Sequence, residues 1–209
     1  MPDPAWHLEV ITPETRTLLA SLAANPALAS CYLAGGTALA LHRGHRRSHD
    51  LDLFRPDPFD ATQLLATLSG HGVLATTALA ENSADVTIDA VKVSVLRYEY
   101  PLLFAPSRLH GMPIADPRDV GAMKLSAIAM RGARRDFIDL HVVAEQWGLA
   151  QVLDWADAKF GRVRINRVHW LKALTYFEDA EQEPEPDMIL PLPWSQVRAF
   201  FERETVRLL

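Results

Sequence analysis

The sequence has little cysteine, no long apolar run and no excess of basic residues. Its one cysteine rules out an internal disulfide and indicates a reducing compartment. No apolar run approaches the roughly 18–20 residues that are needed to cross a bilayer. The acidic, proline-broken N-terminus lacks the charged and then apolar pattern of a signal peptide. Together these absences predict a cytoplasmic protein with no membrane association.

The charge balance argues against nucleic acid as the default partner. Lysine and arginine total 21 against 26 aspartates and glutamates, which gives a formal net charge of −5. A broad basic surface is therefore not expected, although Arg43, Arg46 and Arg47 form one local basic patch. The hydrophobic content of 49% is ordinary, and 209 residues can bury a full core in one domain or two small ones.

Helical and strand patterns alternate in the first half of the chain. Thr12 followed by Pro13 predicts a helix start, and the apolar stretch closed by Gly35 and Gly36 predicts a buried strand. Thr37 is then expected to cap a short helix that ends at a glycine. The stretch "DLDLF" predicts a second strand, and "DVTIDAVKVSVLRY" predicts either one bent strand or a hairpin.

The second half of the chain is helical in pattern from residue 116 onward. A proline-rich segment, "EPEPDMILPLP", interrupts it before the last helix. We therefore predict an α/β (α+β) fold with a mixed sheet in residues 1–110, followed by a helical domain in residues 111–209.

Two carboxylates share one face of the second predicted strand. Side chains alternate along a strand, so Asp50 and Asp52 point one way while Leu51 and Leu53 point into the core. Carboxylates about 7 Å apart on one face can bind one or two hard cations. Two such cations are the usual means of catalysing displacement at phosphorus. Asp50 and Asp52 are therefore candidate metal ligands.

A candidate phosphate site lies just upstream. Gly35 and Gly36 lead into the helix that begins near Thr37, and free main-chain N–H groups at a helix start bind phosphate. Ser48 is a further candidate for binding phosphate or a metal-bound water, although a serine before a strand is usually a turn former. A phosphate site beside a carboxylate pair suggests a nucleoside triphosphate as the ligand.

These residues resemble a known signature. Gly36-Thr37, twelve residues and then Asp50-Leu51-Asp52-Leu53 resemble the motif of the DNA polymerase β-like nucleotidyltransferase superfamily. The longer stretch "GGTALALHRGHRRSHDLDLF" is similar to the AbiEii/AbiGii toxin family of nucleotidyltransferases, as is "IADPRDVGAMKLSAIAMRGARRDFIDL" further along. The resemblance extends from about residue 30 to the C-terminus.

The resemblance implies an activity and partners. It implies transfer of a nucleotide monophosphate from an NTP with Mg²⁺ (or Mn²⁺) to an acceptor hydroxyl, with tRNA as one candidate acceptor. It also implies a toxin that is paired with a separately encoded antitoxin. The alternative is a catalytically weak or inactive protein that binds a nucleotide or a partner on the same scaffold.

A second group of charged residues lies on two successive predicted helices. Lys124 borders a buried face, and Asp136 and Asp139 share a face of the next helix, so these residues alone predict an interhelix ion pair. The resemblance instead implies that Lys124 meets nucleotide phosphates and that Asp136 is required for activity, with Asp139 less certain. Both interpretations stay open at this level.

One feature departs from the superfamily pattern. A later strand usually supplies a third carboxylate, but Ser94 occupies the corresponding position, and Asp85 is expected beyond a turn. This departure is the main support for the inactive alternative. The three histidines near the motif, His42, His45 and His49, lack a spacing for a metal site and are expected at the surface.

Overall fold

The computed structural model describes residues 5–161 and 166–209, and within them the strands form one mixed sheet. The strands are β1 Tyr32–Ala34, β2 Leu51–Arg55, β3 Leu74–Ala80, β4 Ser83–Ile88, β5 Val91–Arg97, β6 Ser107–Leu109 and β7 Met112–Ile114. Their order across the sheet is β3-β4-β5-β2-β1-β7-β6. The β2–β5 and β1–β7 pairs are parallel and the other neighbouring pairs are antiparallel, which confirms the predicted mixed sheet.

Helices make up most of the remaining described structure. They are α1 Pro13–Ala23, α2 Gly35–Arg43, α3 Ala61–Leu68, α4 Pro117–Arg131, α5 Arg134–Trp147, α6 Leu149–Phe160, α7 Arg167–Ala173, α8 Glu178–Gln182 and α9 Trp194–Leu208. None of those in the described ranges is long and apolar enough to cross a membrane. The predicted α/β (α+β) class is confirmed.

The local signals in the sequence explain where several helices begin and end. The Thr12 side chain accepts a hydrogen bond from the Thr15 N–H at the start of α1, and Asp116 accepts one from Arg118 at the start of α4. Gly44 ends α2 with a φ of 64°, a left-handed conformation that costs glycine little. These capping interactions satisfy main-chain groups that a helix end would otherwise leave unpaired.

Some elements were not predicted. Strand β3 is an exposed edge strand, so it lacks the alternation of apolar residues by which a half-buried strand is recognised. The hairpin of β6 and β7 has only three residues in each strand. Strand β7 pairs with β1 at Leu33 and Ile114, so the sheet continues past the predicted boundary at residue 110. The division into domains 1–110 and 111–209 stays a prediction.

Strand β2 lies in the middle of the sheet, and this position sets the geometry of the site. Leu51 and Leu53 are fully buried, as their alternation with the aspartates predicts. β2 pairs on one side with β1 and on the other with β5. Asp52 therefore has a sheet neighbour on each side, Ala34 on β1 and Ser94 on β5.

A hairpin joins β4 to β5, in agreement with one of the two predicted alternatives. Its turn residues Asp89 and Ala90 have φ values of 46° and 69°. A tight two-residue turn of this kind gives the strands a strict register, in which Asp85 pairs with Ser94. Since Ser94 also pairs with Asp52 of β2, these three residues form one row across β2, β5 and β4.

Candidate active site

A polar cleft opens on the face of the sheet that carries the two motif aspartates. Its walls come from β2, β4 and β5, from the loop before β2, from α4 and α5, and from the segment 183–187. The charged and hydroxyl side chains that line it are Arg46, Arg47, Ser48, Asp50, Asp52, Asp85, Lys92, Ser94, Lys124, Arg131, Arg135, Glu183, Glu185 and Asp187. Carboxylates and cations thus face one another across the cleft.

The carboxylates of Asp50 and Asp52 are free to accept a ligand. Both residues are partly buried, and within the described ranges no hydrogen bond or ion pair to another side chain engages their carboxylate groups. Burial raises the pKa of Asp52, against the opposing effect of the Lys124 charge. A partly desolvated carboxylate without a partner is stabilised by a cation.

The chemistry of the cleft fits Mg²⁺ or Mn²⁺ better than a softer metal. Asp50 and Asp52 offer hard oxygen ligands to the cleft, whereas softer metals prefer thiolate or imidazole ligands. Mg²⁺ commonly binds to one or two carboxylates together with substrate phosphates, because it keeps a small, oxygen-rich coordination shell. The donor set therefore suits a cation that arrives with a nucleotide.

The two glycines of the motif allow close contacts within the protein. Gly35 has a φ of 68°, and a Cβ there would lie 2.5 Å from Asp52 Oδ2. A Cβ on Gly36 would lie 2.0 Å from Nη2 of Arg46. Both glycines are thus needed for the approach of neighbouring side chains, whether or not their N–H groups bind phosphate. Their role in a phosphate site stays a prediction.

Thr37 has a different local role from the one predicted. Helix α2 already begins at Gly35, with Ala34 as the N-cap residue, so Thr37 lies inside the helix and does not cap it. Its hydroxyl is hydrogen-bonded to Ser48 Oγ at 2.7 Å and donates to the main-chain oxygen of Asp50. Both hydroxyls are buried. Thr37 and Ser48 therefore hold the chain in place where it enters β2, and direct contact with phosphate stays a prediction for both.

Lys124 forms the ion pair that its position predicts, and forms it with both aspartates. Its Nζ lies 2.7 Å from Asp136 Oδ1 and 2.7 Å from Asp139 Oδ2. Lys124 is 5% exposed, and the two aspartates are fully buried. Lys124 also lines the cleft and lowers the pKa of Asp52 through its charge. The charge of Lys124 therefore acts on Asp136, by direct contact, and on Asp52.

Asp139 is held more firmly than sequence reasoning suggested. Arg46 donates to it through two nitrogens at 2.7 and 2.8 Å, and His45 Nε2 lies 2.9 Å from Oδ1. Burial alone would raise the pKa of Asp139, but the Arg46 and Lys124 charges and these hydrogen bonds hold it well below its usual range. Asp139 is therefore a buried anion surrounded by three donors.

Asp136 has a similar environment closer to the cleft. Arg131 Nε lies 2.7 Å from its Oδ2, in addition to the Lys124 contact. Burial raises the pKa of Asp136, yet the charges of Lys124 and Arg131 outweigh it and the net pKa is lowered. Because Asp136 is fully buried, it acts on the cleft through these two cations and has no surface for an acceptor. The predicted role of Asp136, to orient Lys124 or to assist the acceptor, stays a prediction, and its contact with Lys124 is the geometry that the first of these needs.

Two expectations about the basic and histidine residues near the motif were wrong. Arg46 is 5% exposed and belongs to the Asp139 cluster, so the predicted basic patch of three arginines is smaller than expected. His45 is 2% exposed and is not at the surface. His42 is half-buried against the Ala115 carbonyl oxygen, and only His49 is exposed as predicted. Burial of a charged residue depends on partners far along the chain, which local spacing does not reveal.

Several cleft residues were not singled out from the sequence. Lys92 and Arg135 are exposed in the cleft and form no ion pair within the described part of the chain. They are thus cations available to a ligand. Lys92 lies two residues before Ser94 on β5, so the two side chains share a face of the strand. This spacing was the signal by which Lys92 could have been predicted as a cleft residue.

The segment 183–187 forms the outer wall of the cleft. Its carbonyl at Asp187 accepts a hydrogen bond from the Arg47 N–H at 2.8 Å, and the side chains of these two residues lie 3.2 Å apart. Met188 forms a β-bridge with Arg46. These contacts bring the proline-rich connection against the loop that precedes β2.

The chain is similar to a known protein family and to a protein of another organism. The family model "Nucleotidyl transferase AbiEii toxin, Type IV TA system" matches residues 16–102 and 75–206. The chain is also 35% identical over 179 residues to Uncharacterized protein aq_aa25 of Aquifex aeolicus (strain VF5), covering 83% of this chain and 85% of that protein.

Solved structures share the fold. MenT4, a nucleotidyltransferase toxin from Mycobacterium tuberculosis H37Rv, has a TM-score of 0.55 at 19% identity, covering 90% of this chain and 82% of that one. ANT(2'')-Ia in complex with adenylyl-2''-tobramycin has a TM-score of 0.52 at 14% identity, covering 71% of this chain and 98% of that one. The fold is accordingly that of polymerase β-like nucleotidyltransferases.

Proposed function

The chain belongs to the AbiEii nucleotidyl transferase toxin family, and we propose that it transfers a nucleotide monophosphate from an NTP to an acceptor hydroxyl. This membership confirms the resemblance that the motif residues suggest. It makes the chain a nucleotidyltransferase of a toxin family.

One observation supports the assignment of the reaction to this cleft. Asp50 and Asp52 are the carboxylates of the motif, and no side chain in residues 5–161 or 166–209 pairs with them. Asp136 and Asp139, by contrast, are each held by at least two cationic partners. Two partly desolvated carboxylates without ion-pair partners lower the stability of a fold. Beside several cations, they are suited to bind a metal-bound triphosphate.

Asp50 and Asp52 would hold Mg²⁺ or Mn²⁺ together with the phosphates of the nucleotide. When bound, such a cation supplies charge stabilisation to the phosphorus centre and to the leaving pyrophosphate. The acceptor hydroxyl gives up its proton to solvent, its oxygen forms a bond to the α-phosphorus, and the bond from that phosphorus to the leaving pyrophosphate breaks. Catalysis of this kind depends on positioning and on charge stabilisation.

The remaining cleft residues have proposed roles around the triphosphate. The N–H groups of Gly35, Gly36 and Thr37 lie at the start of α2, where the helix dipole favours an anion. Lys124 lowers the negative potential beside Asp52, and Arg131 is partly exposed while it is bonded to Asp136. Both cations therefore serve as counter-charges to phosphate that Asp136 keeps in position.

Family membership supports a proposal for the protein partner, and the cleft supports one for the acceptor. As a member of a toxin family, the chain is proposed to act with a cognate antitoxin, and tRNA is a candidate acceptor. The exposed cations Lys92 and Arg135 at the cleft suit a phosphate backbone. The alternative function, nucleotide or partner binding without turnover, is favoured by Ser94 at the position of the usual third carboxylate.

The direct test is incubation of the purified protein with Mg²⁺ and each radiolabelled NTP, with and without total tRNA. We expect NTP-dependent labelling of an acceptor, and loss of labelling in Asp50→Asn. The matched control is Asp57→Asn, which removes an exposed carboxylate seven residues away that does not line the cleft. Triphosphate binding without labelling of any acceptor would favour the alternative.

A further inference from the structure

A row of three polar side chains crosses the sheet at the level of the metal-binding aspartates. Ser94 pairs with Asp52 in the parallel β2–β5 register and with Asp85 in the antiparallel β4–β5 register. All three residues line the cleft. Neighbouring strands lie about 4.8 Å apart, so side chains in one row on one face are close neighbours. Asp85 therefore lies one strand further from Asp52 than the usual third carboxylate would.

The contact between Ser94 and Asp85 is short and has a direction. The Ser94 hydroxyl donates to Asp85 Oδ1 at 2.5 Å, at the short end of the range for a hydroxyl bonded to a carboxylate. A hydroxyl has one proton and two lone pairs. Because the proton points toward Asp85, the lone pairs of Ser94 Oγ remain available on the other sides. The bond to Asp85 therefore leaves Ser94 Oγ able to act only as an acceptor or a ligand toward other groups.

The burial of the two residues supports a role beyond a link between strands. Ser94 is 6% exposed, and Asp85 is partly buried with no ion-pair partner within the described ranges. A cross-strand link alone would not require a charged residue, since a neutral side chain would make the bond without the cost of desolvating a carboxylate. An unneutralised carboxylate behind a buried hydroxyl is the arrangement that strengthens a hydroxyl as a ligand.

We propose that Ser94 Oγ is the third oxygen ligand of the catalytic cation and that Asp85 is the positioning residue that orients and polarises it. Asp50, Asp52 and Ser94 then present three oxygens from the chain, and Asp85 supplies the negative charge that a carboxylate on β5 would carry. Hard cations accept serine hydroxyls as ligands, as in the nucleotide-binding P-loop. This inference rests on the proposed function for the presence of a cation in the cleft.

Measurement of Mn²⁺ binding tests the inference without relying on turnover. Electron paramagnetic resonance on the full chain would follow free Mn²⁺ during titrations with Mn²⁺ alone and with Mn²⁺ plus each NTP. We expect Asp85→Asn to weaken Mn²⁺ binding by roughly tenfold, the loss typical when a residue behind a metal ligand is removed, and Ser94→Ala to weaken it at least as much because it removes the proposed ligand. Asp57→Asn is the matched control and should bind Mn²⁺ as the wild type does.

A compensating double variant separates the proposed role from a structural one. In Asp85→Asn with Ser94→Asp, the carboxylate moves from β4 to the β5 position beside Asp52. We expect this variant to recover Mn²⁺ affinity to within about threefold of the wild type or to exceed it, since a carboxylate is a stronger ligand than a hydroxyl for a hard cation. If the Ser94–Asp85 bond were only structural, the folded single variants would bind Mn²⁺ as the wild type does, and there would be no loss for the double variant to recover. Melting curves on every variant identify any loss that results from unfolding.

The outcomes for this inference and for the proposed function differ. A wild-type protein that labels an acceptor while Asp85→Asn binds Mn²⁺ normally would overturn the inference and leave the function standing. Mn²⁺ binding that depends on Asp85, without labelling of any acceptor, would support the inference and contradict the transfer reaction. A wild-type protein that binds no Mn²⁺ with any NTP would overturn both.

Discussion

The Nζ of Lys124 on α4 lies 2.7 Å from Asp139 Oδ2 on α5, and Arg46 from the loop before β2 binds the same carboxylate. One buried anion thereby ties the helical half of the chain to the segment that leads into Asp50. Lys124 contacts Asp136 as well, so it neutralises two buried charges while it lines the cleft. Lys124 is therefore both a partner of two buried carboxylates and part of the cleft lining.

We expect Lys124→Met to destabilise the fold strongly. Removal of the ammonium leaves two buried carboxylates with less compensation, a change that costs about 3–5 kcal/mol when one partner of a buried ion pair is lost. For a chain of this length, that corresponds to a fall in melting temperature of roughly 10 °C. Thermal denaturation of the variant and of the wild type in the absence of nucleotide measures this fall in melting temperature.

Lys92→Met is the matched control for this change. Lys92 also lines the cleft but is exposed and forms no ion pair within the described ranges, so its loss should leave the melting temperature within about 2 °C of wild type. If Lys124→Met melted as the wild type does and lost only triphosphate affinity, the structural role of the ion pair would be refuted.

We expect Asp52→Asn to stabilise the metal-free protein at neutral pH while it abolishes Mn²⁺ binding. Burial raises the pKa of Asp52 in the fold, so its contribution to stability is present below the unfolded pKa and is lost as pH rises through the folded pKa. The amide of asparagine does not ionise, so the variant avoids the free-energy cost of a partly buried charge. We expect its melting temperature in the presence of EDTA to be roughly 2–4 °C higher. A lower melting temperature for the variant at pH 7 would contradict the proposed cost of the free carboxylate.

The Asp136 and Asp139 cluster should make the fold sensitive to acid. Both pKa values are lowered in the fold, so the stability they contribute is present above the unfolded pKa of about 4 and is lost as pH falls toward the folded values. We expect the melting temperature to fall steeply below about pH 4. Asp139→Asn, if it folds, should be less stable at pH 7 and show a shallower slope in acid. An equal slope in both proteins would show that other carboxylates cause the acid sensitivity.

Gly36→Ala should destabilise the protein through Arg46. The added Cβ would lie 2.0 Å from Arg46 Nη2 and 3.3 Å from Asp139 Oδ2, so the buried guanidinium must move away from its partner. We expect a loss of roughly 1–3 kcal/mol, as is typical of overpacking in a well-packed interior. Gly70→Ala is the control, because a Cβ there has no neighbour within 4 Å. Equal denaturation midpoints in urea for the two variants would contradict this assignment.

Local sequence patterns were enough to predict the α/β class, the position of several helix ends and the carboxylate pair. These features depend on local rules. A capping side chain such as Thr12 acts within three residues, and alternation predicts that Asp52 of β2 and Asp50, which directly precedes the strand, share one face. The motif with its spacing also identified the family, because Gly36 and the two aspartates occur together on neighbouring elements.

Local patterns could not predict which charged residues are buried together, because that depends on contacts between segments far apart in the chain. Arg46 and Asp139 are 93 residues apart in the chain, and no local pattern indicates that a member of an arginine-rich loop becomes a buried partner. The strand register likewise brings Asp85 opposite Ser94, although the turn at Asp89 suggested that they lay apart. The packing of the sheet and helices sets which distant residues form ion pairs and hydrogen bonds. The free energy of a buried charge depends on those contacts.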